Sequence, residues 1–186
     1  NDGTRFNSGG TGNVRITGGA ATLRGTSLVQ GNKLILVGGT IQGHADGTGE
    51  IMGGIFEWTE GTIAGVVRLG TTANVLLSGS GAKFLGSGSV LNNAGIVNWT
   101  EGYLVGNGNS AFNNLAGGTF NAPASGSFDY NSWSNTFTNA GTLNIGASPG
   151  LLTFSSPWAF TQTSSGVLNI EIGGASTAQF DRLQID

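Results

Sequence analysis

A pattern that returns at a near-constant interval constrains this chain more than any single residue does. The stretch "AGTLNIG", from Ala140 to Gly146, joins a glycine turn to alternating apolar and polar residues. Seven other segments repeat it: "NVRI" from Asn13, "KLIL" from Lys33, "GIFEW" from Gly54, "NVLL" from Asn74, "AGIVNW" from Ala94, "GGTFNA" from Gly117 and "GVLNIEI" from Gly166. Their first inward residues are Val14, Leu34, Phe56, Val75, Val97, Phe120, Leu143 and Leu168, in steps of 19 to 25 residues. Strand-type segments at such a period imply a solenoid, in which each repeat buries its apolar side only against its neighbours.

Two further apolar runs complete each period. The second run appears at Thr22 to Leu23, Thr40 to Ile41, Thr62 to Ile63, Lys83 to Leu85 and Tyr103 to Val105. The third is marked by Leu28, Ile51, Val67, Leu91, Phe112, Phe137 and Phe160, read as core residues. Three short strands per turn, with glycine at the bends, predict an all-β, parallel β-helix of about eight coils, each of roughly 20–25 residues. The usual chirality of parallel connections makes it right-handed. Residues 1–12 are polar and form an N-terminal segment or partial coil; 13–186 form one domain. Composition agrees. Only 9% of residues are charged and 35 are glycine, yet 38% are hydrophobic, too many and too regular for a flexible linker.

Alternation sorts the side chains. In "GTLNIG", Leu143 and Ile145 share the inner face and Asn144 takes the outer one. The same register aligns Asn98, Asn121, Asn144 and Asn169 in one external column. Asparagine is a poor strand former, so the column is either a ladder of stacked amides or simply a solvated face. In the duplicated "WTEG", Trp58 and Trp99 point inward. Insertions at Gly43 to Glu50 and Pro123 to Asn135 are read as loops leaving the wall, and Pro149 and Pro157 as corners around the strand Leu151 to Phe154.

Function classes can then be weighed. Net charge is −3 and the seven basic residues are scattered, which argues against nucleic-acid binding. There are no cysteines, and no apolar run approaches the ~18 residues of a membrane helix. Glu60 and Glu101 are a candidate pair of hydrolytic carboxylates. Two coils would separate them by ~9.6 Å, at the outer limit for such pairs. The coil between offers only Ser80 and Gly81 there, and no basic residue is expected nearby, so "WTEG" reads as one corner used twice and the chain as no enzyme. His44, Asp46 and Glu50 share a loop but match no zinc or EF-hand spacing, so neither metal nor cofactor is expected. Thr40 and Thr62 begin a threonine column of the kind an ice-binding face would need, but Lys83 and Tyr103 interrupt it. Asp129, Tyr130 and Trp133 form the best carboxylate-plus-aromatic cluster. They suit a glycan, or else a loop folded over the wall with Trp133 as its lid.

The segments "SPGLLTF", "FTQTSSGVLNIEIGG" and "FDRLQI" resemble repeats of large bacterial extracellular β-helical proteins, such as autotransporter passengers and filamentous-haemagglutinin-like adhesins. The resemblance covers about residues 136–186, and 13–135 only at the level of coil pattern. It implies a scaffold outside the cell and carries over no catalytic residue. The function expected is a non-catalytic structural or adhesive extracellular module, with carbohydrate binding through the 123–135 loop as the alternative. Leu183 and Ile185 alternate inward in the last strand and Val14 and Ile16 in the first. They are expected to continue the ladder into a second copy, building a fibre, or into neighbouring domains of a longer parent chain.

Overall fold

The computed structural model of the chain describes residues 5–7, 11–146 and 149–186. Residues 1–4 and 8–10 of the polar N-terminal segment, and 147–148 of "GASPG", lie outside the described residues.

Each period contributes one strand to each of three walls. Wall 1 contains Asn13–Ile16, Asn74–Leu77, Ile96–Trp99, Thr119–Asn121, Thr142–Asn144 and Val167–Asn169. Wall 2 contains Ala20–Leu23, Ala82–Leu85, Tyr103–Asn107, Ser125–Ser132, Leu151–Phe154 and Arg182–Ile185. Lys33–Gly43 and Ile55–Ala64 are long enough to serve both, so walls 1 and 2 merge into one fourteen-stranded sheet. Wall 3 is an eight-stranded sheet running from Arg5–Asn7 through Thr26–Gln30, Glu50–Met52, Val66–Leu69, Val90–Asn93, Ala111–Asn114 and Asn135–Asn139 to Trp158–Gln162. Strands pair in parallel with their counterparts one coil away. The result is an all-β parallel solenoid of about seven turns, close to the eight expected, with no helix among the described residues.

The inward column of wall 1 follows the periodicity residue for residue. Val14, Leu34, Phe56, Val75, Val97, Phe120, Leu143 and Leu168 are successive register partners. Those from Leu34 to Leu143 are buried, while Val14 and Leu168 in the outer coils pack partly buried against the same core. From Trp99 onward the core becomes aromatic. Phe128 stacks on Phe154 at 4.4 Å and Phe112 on Phe137 at 5.3 Å, one coil apart. Edge-on contacts such as Phe112–Phe120 at 5.2 Å cross the interior between walls.

Wall 3 buries Ile51, Val67, Leu91, Phe112 and Phe137, with Phe160 half-buried in the last coil. Leu28 is a correction: it is half-buried on the outer side, and Ser27 and Val29 point inward. Its neighbours set the phase, since Phe6 pairs with Val29 and Ser27 with Ile51. A one-residue slip to bury Leu28 would turn every other side chain of the strand outward.

The same alternation carries amides inside. Asn93, Asn114 and Asn139 are buried, two residues after Leu91, Phe112 and Phe137. Asn93 Nδ2 donates to Asn114 Oδ1 at 2.9 Å, Asn114 Nδ2 to Asn139 Oδ1 at 2.8 Å, and Asn139 Nδ2 to Gln162 Oε1 at 3.0 Å. The second amide hydrogens reach the carbonyls of Thr119, Thr142 and Val167, tying wall 3 to the start of wall 1. At this corner chain approach is close: a Cβ on Gly141 would lie 2.3 Å from the Gly118 carbonyl oxygen.

The external column is a ladder as well. Asn169 donates to Asn144 and Asn144 to Asn121, each at 2.6 Å; Asn121 donates to Asn98 at 2.7 Å and Asn98 to Asn74 at 3.3 Å. Amide-to-amide bonds therefore replace the solvated face that was the alternative.

Candidate functional site

At the corner between walls 1 and 2, backbone carbonyls turn toward the interior and need donors. Trp58 and Trp99 are buried inward, and their indole Nε1 groups donate to the carbonyls of Gly61 at 3.2 Å and Glu101 at 2.8 Å. In the coil between, Leu77 is the register partner of both tryptophans and supplies no indole. Lys83 takes that place. It is fully buried, and its Nζ donates to the carbonyls of Gly79 at 2.9 Å, Gly81 at 3.1 Å and Glu101 at 3.2 Å. Burial pushes the Lys83 ammonium down to about 8, against the opposing pull of Glu60 and Glu101. The expectation that no basic residue lies near those two carboxylates is thus corrected. Lys83 was read as one end of an apolar run, and the run does bury it.

Outside this corner, wall 2 carries a groove of about 450 Å³ floored by Gly38, Gly61 and Gly81 and bordered by Glu60, Thr62 and Phe84. The Glu60 side chain is exposed and lies over Gly81. Thr40, Thr62, Phe84, Val105 and Asp129 are successive partners along the outer surface. The threonine column is therefore interrupted by Phe84, one place along from the Lys83 expected, and by Val105, two places along from the Tyr103 expected.

The segment 123–135 is also a correction, because it does not leave the wall. Ser125–Ser132 is a strand of wall 2, paired with Tyr103–Asn107 and Leu151–Phe154. The extra length is taken up by a register shift: Gly106 faces Tyr130 but Asn107 faces Ser132. Such a bulge re-aims neighbouring side chains, and Tyr130 is 49% exposed. Trp133 is 79% exposed and lids nothing. The corner beneath it is held by buried Asn135, whose Oδ1 accepts from Gly108 N and Ser110 Oγ and whose Nδ2 donates to the Ser132 carbonyl. Asp129 is tied to the wall by Ser127 Oγ and, at 3.4 Å, by Ser155 Oγ, and its backbone carbonyl accepts from Trp158 Nε1 at 2.6 Å.

No protein-family model, curated protein or solved structure matches the chain. The remaining residues are placed by geometry. Asp46 is held well below the usual carboxylate range by the Thr48 hydroxyl and amide, with a smaller contribution from His44. Glu50 is bound instead to Arg68 at 3.0 Å and Thr26 Oγ1 at 3.0 Å, so His44, Asp46 and Glu50 do not converge. At the ends, Val14, Ile16 and Leu183 are partly buried, and Ile185 is 52% exposed even though its register partner Phe154 is buried. Ile185 has the inward phase but no coil above it among the described residues.

Sequence reasoning missed Lys83 and the inner amide ladder. The signal for the ladder was present in the spacing Leu91–Asn93, Phe112–Asn114 and Phe137–Asn139, which alternation directs inward.

Proposed function

We propose that this chain is a non-catalytic structural or adhesive β-solenoid module carried on the outside of a bacterial cell. The observation that carries the reading is the outer amide ladder from Asn74 to Asn169, which spends outward positions on holding coils together. The apolar side chains at both ends support association coil on coil, with a second copy or a neighbouring domain. Sedimentation velocity at rising concentration tests this. Association that is weakened by Leu183→Lys with Ile185→Lys is expected; release of reducing ends from a panel of polysaccharides would instead refute the non-catalytic reading.

A second reading is favoured by one observation, the two exposed rings of Tyr130 and Trp133 on a hydrogen-bonded corner. Exposed aromatic faces suit sugar rings. Glycan-array binding that disappears in Trp133→Ala, with the far-ultraviolet spectrum unchanged, would promote carbohydrate binding over a purely structural role.

A further inference from the structure

The outer amide ladder has a direction. Each Nδ2 donates to the coil before it: Asn169 to Asn144, Asn144 to Asn121 and Asn121 to Asn98. The ladder therefore ends at exposed Asn169 with its Nδ2 turned back and its Oδ1 accepting from nothing among the described residues. Followed the other way, the same outward column passes through Leu76, Glu57 and Ile35 to Arg15 in the first coil. Arg15 is exposed and can only donate. Glu57, whose charge it feels, is already bonded by Lys33 and Ser78. One end of the column thus presents an acceptor and the other a donor.

The strands that carry these two residues are edges. Asn13–Ile16 pairs only with Lys33–Gly43, and Val167–Asn169 only with Thr142–Asn144, both in parallel. Their inward residues Val14 and Leu168 stand in one column and are only partly buried, while Val167 and Ile170 are 49% and 40% exposed. Charge follows the same polarity. The charged residues described in 5–32 are Arg5, Arg15 and Arg24, whereas 163–186 holds Glu171, Asp181 and Asp186 against Arg182 alone.

We propose that copies of this chain stack head to tail, the Val167–Asn169 edge of one receiving the Asn13–Ile16 edge of the next, with Asn169 Oδ1 accepting from Arg15. The register rests on the coil-on-coil association proposed above and is specific: Leu168 and Ile170, rather than Leu183 and Ile185 of wall 2, meet Val14 and Ile16. Wall 2 meets the next copy differently. The column of Ile185 runs through Phe154, Phe128, Leu104 and Lys83 to Gly61, one place before the column of Thr62, Thr40 and Ala20. Ile185 then covers the Gly18–Gly19 turn, where an added Cβ would have no atom within 4 Å. Two first coils set together would bring donor to donor, and two last coils acceptor to acceptor. The junction is therefore heterologous and repeats without closing.

Sedimentation velocity and electron microscopy of the whole chain at rising concentration test this through a charge exchange. The parent should form rods of increasing length. Arg15→Glu and Asn169→Arg should each raise the concentration needed for association about tenfold or more, and the double variant should recover it. An equal mixture of the two single variants should stop at dimers, because the changed first coil of one matches only the changed last coil of the other. Thermal melting of each variant separates lost association from lost fold. Dimers formed by Arg15→Glu alone, or association indifferent to both substitutions, would overturn the head-to-tail register. If Leu183→Lys with Ile185→Lys still weakened that association, coil-on-coil stacking would stand without it. A parent that stays a single rod at every concentration would overturn both.

Discussion

Replacing Asn114 by alanine separates the two amide ladders. Asn114 is buried; it accepts from Asn93 Nδ2 at 2.9 Å and donates to Asn139 Oδ1 at 2.8 Å and the Thr142 carbonyl at 2.9 Å. Asn114→Ala leaves Asn139 Oδ1 without its donor and one Asn93 amide hydrogen without its acceptor, both out of reach of water. At about 1–3 kcal/mol for each of the two stranded groups, the cost is about 2–6 kcal/mol. Asn144→Ala breaks two shorter bonds, at 2.6 Å each, but on the outer face, where Asn121 and Asn169 can turn to water. Its cost is about 1 kcal/mol. Urea unfolding followed by circular dichroism, with both variants keeping the parental slope, reads the difference directly. Equal losses, or a larger loss for Asn144→Ala, would refute the argument that burial rather than bond length sets the value of these amides.

Three other substitutions probe other parts of the wall. Leu143→Asp places an unpaired charge among buried neighbours and should cost several kcal/mol, enough to unfold or fray the coils, as seen by loss of the far-ultraviolet strand signal. Lys83 has a folded pKa of about 8 against an ordinary 10.5, so the folded state binds fewer protons between those values and stability should rise with pH across that window. The rise should be absent from Lys83→Met, so that subtracting the variant's urea midpoints from the parent's over the same pH range isolates it; a parallel pair of profiles would refute it. Glu57 is held below the usual range chiefly by its bond from Lys33, so its contribution should be lost as pH falls through the acid range. Glu57→Gln should shrink that loss by no more than about 1 kcal/mol in acid unfolding, because Lys33 is partly exposed.

The wall 1 column was legible because every member is apolar, has a polar residue on at least one side and recurs at a near-constant interval, which together fix the phase. Leu28 was not, because in "TSLVQ" the most apolar choice and the correct phase disagree, and only its partners Met52 and Arg5 reveal the phase. The outer ladder could be read as far as its register; whether the amides bond depends on side-chain rotation, which spacing does not encode. Lys83 escaped for a different reason. Its place inside is set by carbonyls from Gly79 and Gly81 in one coil and Glu101 in the next, a demand that arises only once the corners are stacked. The 123–135 segment looked like a loop because its apolar residues are few. Ser125–Ser132 is a strand all the same, with Gly126 and Phe128 filling its inward places.

Coil length varies from 19 to 25 residues while the inward column of wall 1 stays in step, so the corners and the register shifts beyond wall 1 absorb the variation. Residues 44–49 and 170–181 show how. The first folds back through Asp46 and Thr48, and the second is anchored by Asp181, whose carboxylate accepts from Gly150 N at 2.7 Å and Glu171 N at 2.8 Å. Evolutionary drift and deliberate grafting are therefore channelled. A foreign peptide spliced into the tip at 175–178 leaves every ladder intact, whereas deleting one residue from Thr142–Asn144 would turn its inward and outward residues over at once. Such a molecule can diversify what it presents at its corners without re-inventing what keeps it upright.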